Sequence, residues 1–287
     1  MAADPDPIVS TGKLVGGYRV EHRLGEGGMG TVYAATEPTI GKRVAIKILK
    51  RDLARDESFA QRFEREAKSA AQIHHPAVIE IFAYGKLDDG RPFFVMPLLT
   101  GRSLRQALDA KPRMQPDEAW RIAREVASGL QAAHAFGVLH RDLKPDNVFL
   151  VEHPGRPVTP LLLDFGLAKI AAGSEADDGE EIAKLTGTGT PIGTPLYMAP
   201  EQWWSAPATE ATDQYGFGCL LFEMLAGRPP FEGTKYPELL QAHLHQPPPR
   251  LRDLGVEVSE AVEDVVSRLL AKEAADRFAS FDEVVRA

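Results

Sequence analysis

Apolar and polar positions along the chain follow two different periods, and the change between them divides the sequence. Early on, Thr31-Val32-Tyr33-Ala34 and Val44-Ala45-Ile46-Lys47 read as strands, the second an apolar run that ends in a lysine. Between Glu57 and Gln72 the period lengthens. Phe59, Phe63, Ala67 and Ala70 recur at three- and four-residue spacing, which predicts an amphipathic helix. From there helices dominate. Leu104 to Ala110 follows Ser103, a residue suited to an N-cap, and Pro116-Asp117-Glu118 opens a long helix expected to end near Gly137. Tyr215 to Leu225 is an apolar helix preceded by Asp213. Two short strands interrupt, Val148 to Val151 and Leu161-Leu162-Leu163, with a Pro-rich insertion from Glu152 to Pro160 lengthening the hairpin between them. Strands in the first third and helices afterwards predict an α+β fold.

Most of the chemistry lies in one run of eight. His140-Arg141-Asp142-Leu143-Lys144-Pro145-Asp146-Asn147, followed later by Asp164-Phe165-Gly166, sets two carboxylates, an amide and a lysine around one phosphoryl group. Asp142 suits the orientation of a hydroxyl and the acceptance of its proton, and Lys144 brings positive charge to the transferring oxygens. Asn147 and Asp164 are hard oxygen donors of the kind Mg²⁺ takes. Either short motif alone would pass as a turn or a surface charge cluster. Both occur here in the required order, and the Leu161–Leu163 strand delivers Asp164 at its end.

Upstream, Gly25-Glu26-Gly27-Gly28-Met29-Gly30-Thr31-Val32 is a glycine-rich loop that lets backbone approach phosphates without Cβ interference. Such loops also serve hairpins and dinucleotide sites. Here the third glycine runs into a strand, whereas a dinucleotide fingerprint opens a helix. The loop is therefore a hairpin lid, with Val32 over an adenine. Lys47 could simply snorkel from a sheet edge. Glu66, however, lies beside the apolar stripe of the following helix, placed to pair with Lys47 and hold the ammonium on the α- and β-phosphates; Glu64 is the alternative partner.

Together these motifs make the chain resemble a protein kinase catalytic domain over about Tyr18 to Ala287, and within that family the bacterial eukaryotic-like serine/threonine kinases. The Gly-Glu-Gly-Gly-Met-Gly loop, Arg65-Glu66-Ala67, His75-Pro76 and Lys144-Pro145-Asp146 carry the finer likeness. The resemblance implies a two-lobed fold: a tail over 1–17, an antiparallel β N-lobe and hinge over 18–99, and a helical C-lobe over 100–287 containing an activation segment at 164–201. ATP and Mg²⁺ are the implied cofactors and proteins the implied substrates. Nucleotide contacts then fall on Leu24, Gly25, Glu26, Gly27, Gly28, Gly30, Val32, Ala45, Lys47, Met96, Pro97, Leu99 and Phe149. Phe149 departs from the smaller residue usual at the pocket floor. The resemblance also pairs Glu201 with Arg277, sets Asp213 beneath the catalytic loop, and gives Thr194 a hydrogen bond to Asp142 and Lys144.

Regulation is implied by Thr186, Thr188 and Thr190, candidate phosphate acceptors, with Arg141 and Lys169 as cationic partners for the phosphate. The acidic stretch 173–181 reads as a solvated insertion. A net charge of −8 argues against nucleic acid as a partner. The single cysteine, Cys219, in an apolar helix, suits core packing and a reducing cytoplasm. No apolar run is long enough to span a membrane. By likeness to the bacterial relatives, the chain is expected to be the cytoplasmic kinase portion of a longer, membrane-anchored protein, with weak dimerisation through the N-lobe. A pseudokinase or nucleotide-binding scaffold is the alternative, disfavoured because Lys47, Asp142 and Asp164 are all present.

Overall fold

The computed structural model describes residues 9–28, 30–165, 194–204, 206–233 and 235–287; the side chains of residues 58, 59, 62, 65, 66, 69 and 194 lie outside this description. The chain forms two compact units. One takes the chain up to His74 together with Ile79–Thr100, and the other takes His75–Val78 and Gly101–Ala287.

In the first unit, β1 (Leu14–Val15), β2 (Tyr18–Glu26), β3 (Gly30–Thr36), β4 (Arg43–Leu49), β5 (Ala83–Lys86) and β6 (Pro92–Pro97) form an antiparallel sheet in the order β1-β2-β3-β4-β6-β5. Its centre is β4, buried from Val44 to Leu49, which explains a sequence that is apolar on both faces except at Lys47. Side chains alternate across the sheet, so register decides which residues share a face. Val20, Ala35, Val44, Ile46, Ile48, Phe93 and Val95 pack into the unit's core. The helix α1 (Glu57–Ala70) lies against the Phe94 side, with the Phe63 ring 5.4 Å from that of Phe94.

Of the tail expected over 1–17, residues 1–8 lie outside the described residues and part of the remainder is packed. Val9 and Val15 are 4% and 2% exposed and join the sheet core, and Leu14–Val15 pairs with Tyr18–Arg19. Two isolated valines in a polar stretch give no periodic signal, yet each covers the end of the β2 side of the sheet and gains its own burial. The expected lobe boundary needs a second correction. His75–Val78 belongs with the helical unit, because Leu162 N–H donates to Ala77 O at 2.8 Å and Val78 bridges to Leu162.

The second unit contains a small sheet of β7 (Gly101–Ser103), β8 (Val148–His153) and β9 (Arg156–Leu162), and helices α2 (Leu104–Ala110), α3 (Pro116–Ala135), α4 (Pro200–Trp203), α5 (Glu210–Ala226), α6 (Tyr236–His245), α7 (Glu260–Leu269) and α8 (Phe281–Arg286). Ser103 caps α2 reciprocally with Gln106: its Oγ accepts from Gln106 N–H at 3.2 Å, while Gln106 Oε1 accepts from Ser103 N–H at 3.0 Å. Where α3 ends, Gly137 takes a φ of 70° and donates to His134 O. Gly101 opens β7 at a φ of 142°, and a Cβ there would lie 2.1 Å from Leu150 O.

Every residue of α5 from Thr212 to Leu225 is buried. Such a helix needs apolar residues all round, and each buried Leu or Phe contributes about 1.5–3 kcal/mol. Its polar residues are all matched. Gln214 exchanges two hydrogen bonds with the backbone of Phe278, and Glu223 receives Arg105 at 2.7 Å and the Tyr197 hydroxyl at 2.5 Å. The helix begins five residues earlier than the apolar pattern suggests, which puts Asp213 in its first turn rather than ahead of it.

Candidate active site

In the helical unit the site is built on the loop between α3 and β8. His140 is fully buried, its ring 4.9 Å from that of Phe165, and its Nε2 lies 2.9 Å from Leu163 O. Because a carbonyl only accepts, Nε2 carries the proton. Burial holds the imidazole pKa below its ordinary value, against the opposing pull of Asp213 and Asp142, so the ring is a neutral strut. Asp213 Oδ2 accepts from His140 N–H at 2.8 Å and Oδ1 from Arg141 N–H at 2.7 Å, while His134 Nε2 sits 2.7 Å from Oδ2. The carboxylate of α5 thus supports the loop backbone from two adjacent amides.

Asp142 faces a compact polar group. Lys144 Nζ donates to its Oδ2 at 2.7 Å, and Asn147 Nδ2 donates to the same oxygen at 3.0 Å and to the Asp142 carbonyl at 2.7 Å. With its N–H₂ committed to Asp142, the Asn147 side chain presents its other end, the amide oxygen, as a donor for a hard cation. Asn147 O accepts from Leu163 N–H at 2.8 Å, which ties the loop to the strand that delivers Asp164. Arg141 and Asp164 adopt φ values of 64° and 54°, the only non-glycine residues with positive φ among those described. Such conformations cost about 1–3 kcal/mol each and persist only where surrounding bonds over-determine them.

The sheet unit presents its own candidates on one face. Cross-strand partners Val32, Lys47 and Phe94 form one row, and Ala34, Ala45 and Met96 the next. This face is opposite the one that carries Ile46, Val95 and the rest of the core, so Val32, Ala45, Lys47 and Met96, among the residues assigned to nucleotide contact, share a side. Lys47 is 7% exposed, with Nζ 6.0 Å from the Phe94 centroid. The glycine loop closes as a hairpin, Gly27 N–H donating to Gly30 O at 2.8 Å, and β3 starts at Gly30, where a Cβ would be 2.6 Å from Ile48 O. Glu26 turns its carboxylate to Arg23 and, at 3.1 Å, to Lys50, which leaves its backbone to the loop. Glu64 is engaged with Lys68 at 2.8 Å and with the Tyr84 hydroxyl, an arrangement that does not serve Lys47. Pro97 pairs with Val44, Leu24 is 47% exposed, Leu99 is half-buried, and Phe149 sits in β8 opposite Ser103 and Leu161.

Glu201 and Arg277 meet: Nη1 and Nη2 donate to Oε1 and Oε2 at 2.8 and 2.9 Å. The side chains of Glu66 and Thr194, and all of Lys169, Thr186, Thr188 and Thr190, lie outside the described residues. Two residues of the site escaped the sequence reading. Gln202 donates to Arg141 O at 3.0 Å, and His134 holds Asp213. Neither residue type announces such a role.

A sheet unit bearing a glycine hairpin and a buried strand lysine, with a helical unit bearing this aspartate, lysine and asparagine, defines a protein kinase. The chain belongs to that family: the protein kinase domain matches residues 18–287. It is 38% identical to the serine/threonine-protein kinase pkn3 of Myxococcus xanthus over 279 residues, covering 96% of this chain and 50% of pkn3. It is 38% identical to the serine/threonine-protein kinase PknJ of Mycobacterium tuberculosis over 281 residues, 97% of this chain and 46% of PknJ. The chain thus spans half or less of the length of these curated relatives. In structure it resembles the PknI kinase domain of M. tuberculosis, with a TM-score of 0.73 at 30% identity over 96% of each chain.

Proposed function

We propose that the chain transfers the γ-phosphoryl group of ATP to serine and threonine hydroxyls of proteins. The observation that carries this reading is the arrangement at Asp142, whose carboxylate is held by Lys144 and Asn147 within one loop. In it Asp142 orients the acceptor hydroxyl and takes its proton, which contributes about 10²–10⁴-fold. Lys144 neutralises charge growing on the transferring oxygens, and Thr194 is assigned as a partner of both residues by the family resemblance alone. Lys47, for which Glu66 is the partner assigned by the family resemblance, grips the α- and β-phosphates, and the loop from Leu24 to Val32 covers them. Ala45, Met96, Pro97 and Leu99 of the sheet unit and Phe149 of the helical unit are each assigned to the adenine by the family resemblance.

Asn147 and Asp164 suit Mg²⁺, which takes one or two protein oxygens and completes its shell from phosphates and water. Among the described residues no cluster of three His, Cys, Asp or Glu side chains could hold a metal by itself. When bound, Mg²⁺ would neutralise phosphate charge.

The same reading makes Thr186, Thr188 or Thr190 autophosphorylation sites, paired to Arg141 and Lys169. It makes the chain the cytoplasmic part of a longer, membrane-anchored kinase that acts on proteins and not on nucleic acid, with weak pairing through the sheet unit. No helix among the described residues is long and apolar enough to cross a membrane.

The test is incubation with ATP and Mg²⁺ beside Asp142→Asn, with phosphate mapped by mass spectrometry. Phosphothreonine at 186, 188 or 190 in the parent alone is expected. Nucleotide binding without transfer in either protein would favour the scaffold alternative.

A further inference from the structure

Arg141 occupies a backbone conformation that its side chain disfavours, immediately before Asp142. The bonds around it show what keeps it there. The peptide plane joining Arg141 to Asp142 is pinned at both edges: Asp142 N–H donates to His140 O at 2.9 Å, and the Arg141 carbonyl accepts from Gln202 Nε2 at 3.0 Å. The preceding plane is held through Arg141 N–H on Asp213 Oδ1 at 2.7 Å. The bonds from Asp213 and Gln202 cross 72 and 61 positions of sequence, and the one from Gln202 comes from α4, the short helix that follows residues 194–199.

The Gln202 amide is itself oriented. Its Oε1 accepts from Ala199 N–H at 2.9 Å, which turns Nε2 towards Arg141. An amide can do both things at once because one end accepts and the other donates. A carboxylate of the same shape would keep the bond to Ala199 and lose the bond to Arg141.

We infer that Gln202 is a positioning residue for phosphoryl transfer: by holding the Arg141 carbonyl it prevents the 141–142 peptide from turning over, and so fixes the direction in which Asp142 faces the acceptor hydroxyl. This rests on the kinase reading above. It makes the seating of α4 a condition for the geometry of the catalytic loop. Glu201 anchors the same helix through a two-pronged contact with Arg277, while Gln202 serves the loop.

The test compares the parent with Gln202→Glu and Gln202→Met, each phosphorylated to the same extent as judged by intact mass, using myelin basic protein as acceptor. Both variants should lose roughly tenfold or more in kcat, the scale on which misplacement of a reacting group acts, with KM for ATP within about twofold of the parent. If Gln202 served only to cap α4, Gln202→Glu would keep full kcat, since its carboxylate still receives Ala199 N–H; that result overturns the inference. Unchanged kcat in Gln202→Met overturns it too, as does a loss confined to KM or a loss of nucleotide binding in both variants. A parent that transfers no phosphate to itself or to the acceptor refutes the kinase reading instead, and is separate from an active parent whose Gln202→Glu variant is equally active.

Discussion

Arg277 places both terminal nitrogens on the two carboxylate oxygens of Glu201, 76 positions away, at 2.8 and 2.9 Å. The Arg277 side chain is fully buried, and its remaining donors reach backbone carbonyls of Ala211, Lys272 and Ala271. Burial raises the Glu201 pKa, yet the hydrogen bonds and charge of Arg277 outweigh it and hold the carboxyl below its ordinary value. A buried pair of this kind adds little over an apolar replacement, but losing one partner strands the other. Arg277→Ala should therefore cost about 3–5 kcal/mol in urea unfolding. Arg277→Lys should recover little, because an ammonium cannot make the two-pronged contact.

Asp213 tests the loop from the other side. Its two oxygens each accept a backbone N–H, so Asp213→Asn keeps one acceptor and sets an N–H₂ group against the other amide. The expected result is a fall in kcat of about 10²-fold with a folded protein, measured by steady-state kinetics beside circular dichroism. A similar loss in His134→Ala, with His134→Gln less affected, would show that the histidine acts through Asp213.

His243 gives the fold a pH dependence with a definite sign. It is fully buried between Tyr215, Trp203 and Phe231, and burial, helped by the charge of Lys272, pushes its pKa down to about 3. Unfolding restores the ordinary value near 6.5, so between about 6.5 and 3 the unfolded chain binds the extra proton. Stability from this residue is complete above 6.5 and falls as pH drops through that window, by at most about 1.4 kcal/mol per pH unit. His243→Phe should flatten the acid limb of a plot of unfolding free energy against pH; an unchanged slope would exclude this source.

Gly101 carries a steric prediction. At a φ of 142° with Leu150 O only 2.1 Å from an added Cβ, Gly101→Ala must displace β7 from β8. A loss of roughly 1–3 kcal/mol in thermal or urea unfolding is expected. Gly90, whose φ is 85° with nothing near its Cβ position, serves as a control that shows conformational strain alone.

Elements with local signals were legible before any coordinates. The serine cap of α2, the Pro-Asp-Glu start of α3 and the apolar run Val44-Ala45-Ile46 of β4 announce themselves within a few residues. Asp142, Lys144 and Asn147 were legible for the same reason, since one loop holds them all. What was hidden depends on distant partners. The start of α5 at Glu210 lies in a polar stretch, Glu210-Ala211-Thr212, whose helical state is fixed by Thr212 Oγ1 accepting from Thr209 N–H and by contact with Glu201. Val9 and Val15 are buried by a sheet that no window of sequence around them contains. Gln202 matters only because Arg141 arrives beside it.

Because α5 is buried along fourteen consecutive residues and carries Asp213 near one end and Glu223 near the other, its amides have no route to solvent short of whole-unit opening. Hydrogen exchange there should be the slowest in the unit and should report its global stability. The catalytic loop hangs from that helix, so heat should remove catalytic competence and the fold of the helical unit in a single transition, without an earlier stage in which the unit stands and the loop has come loose.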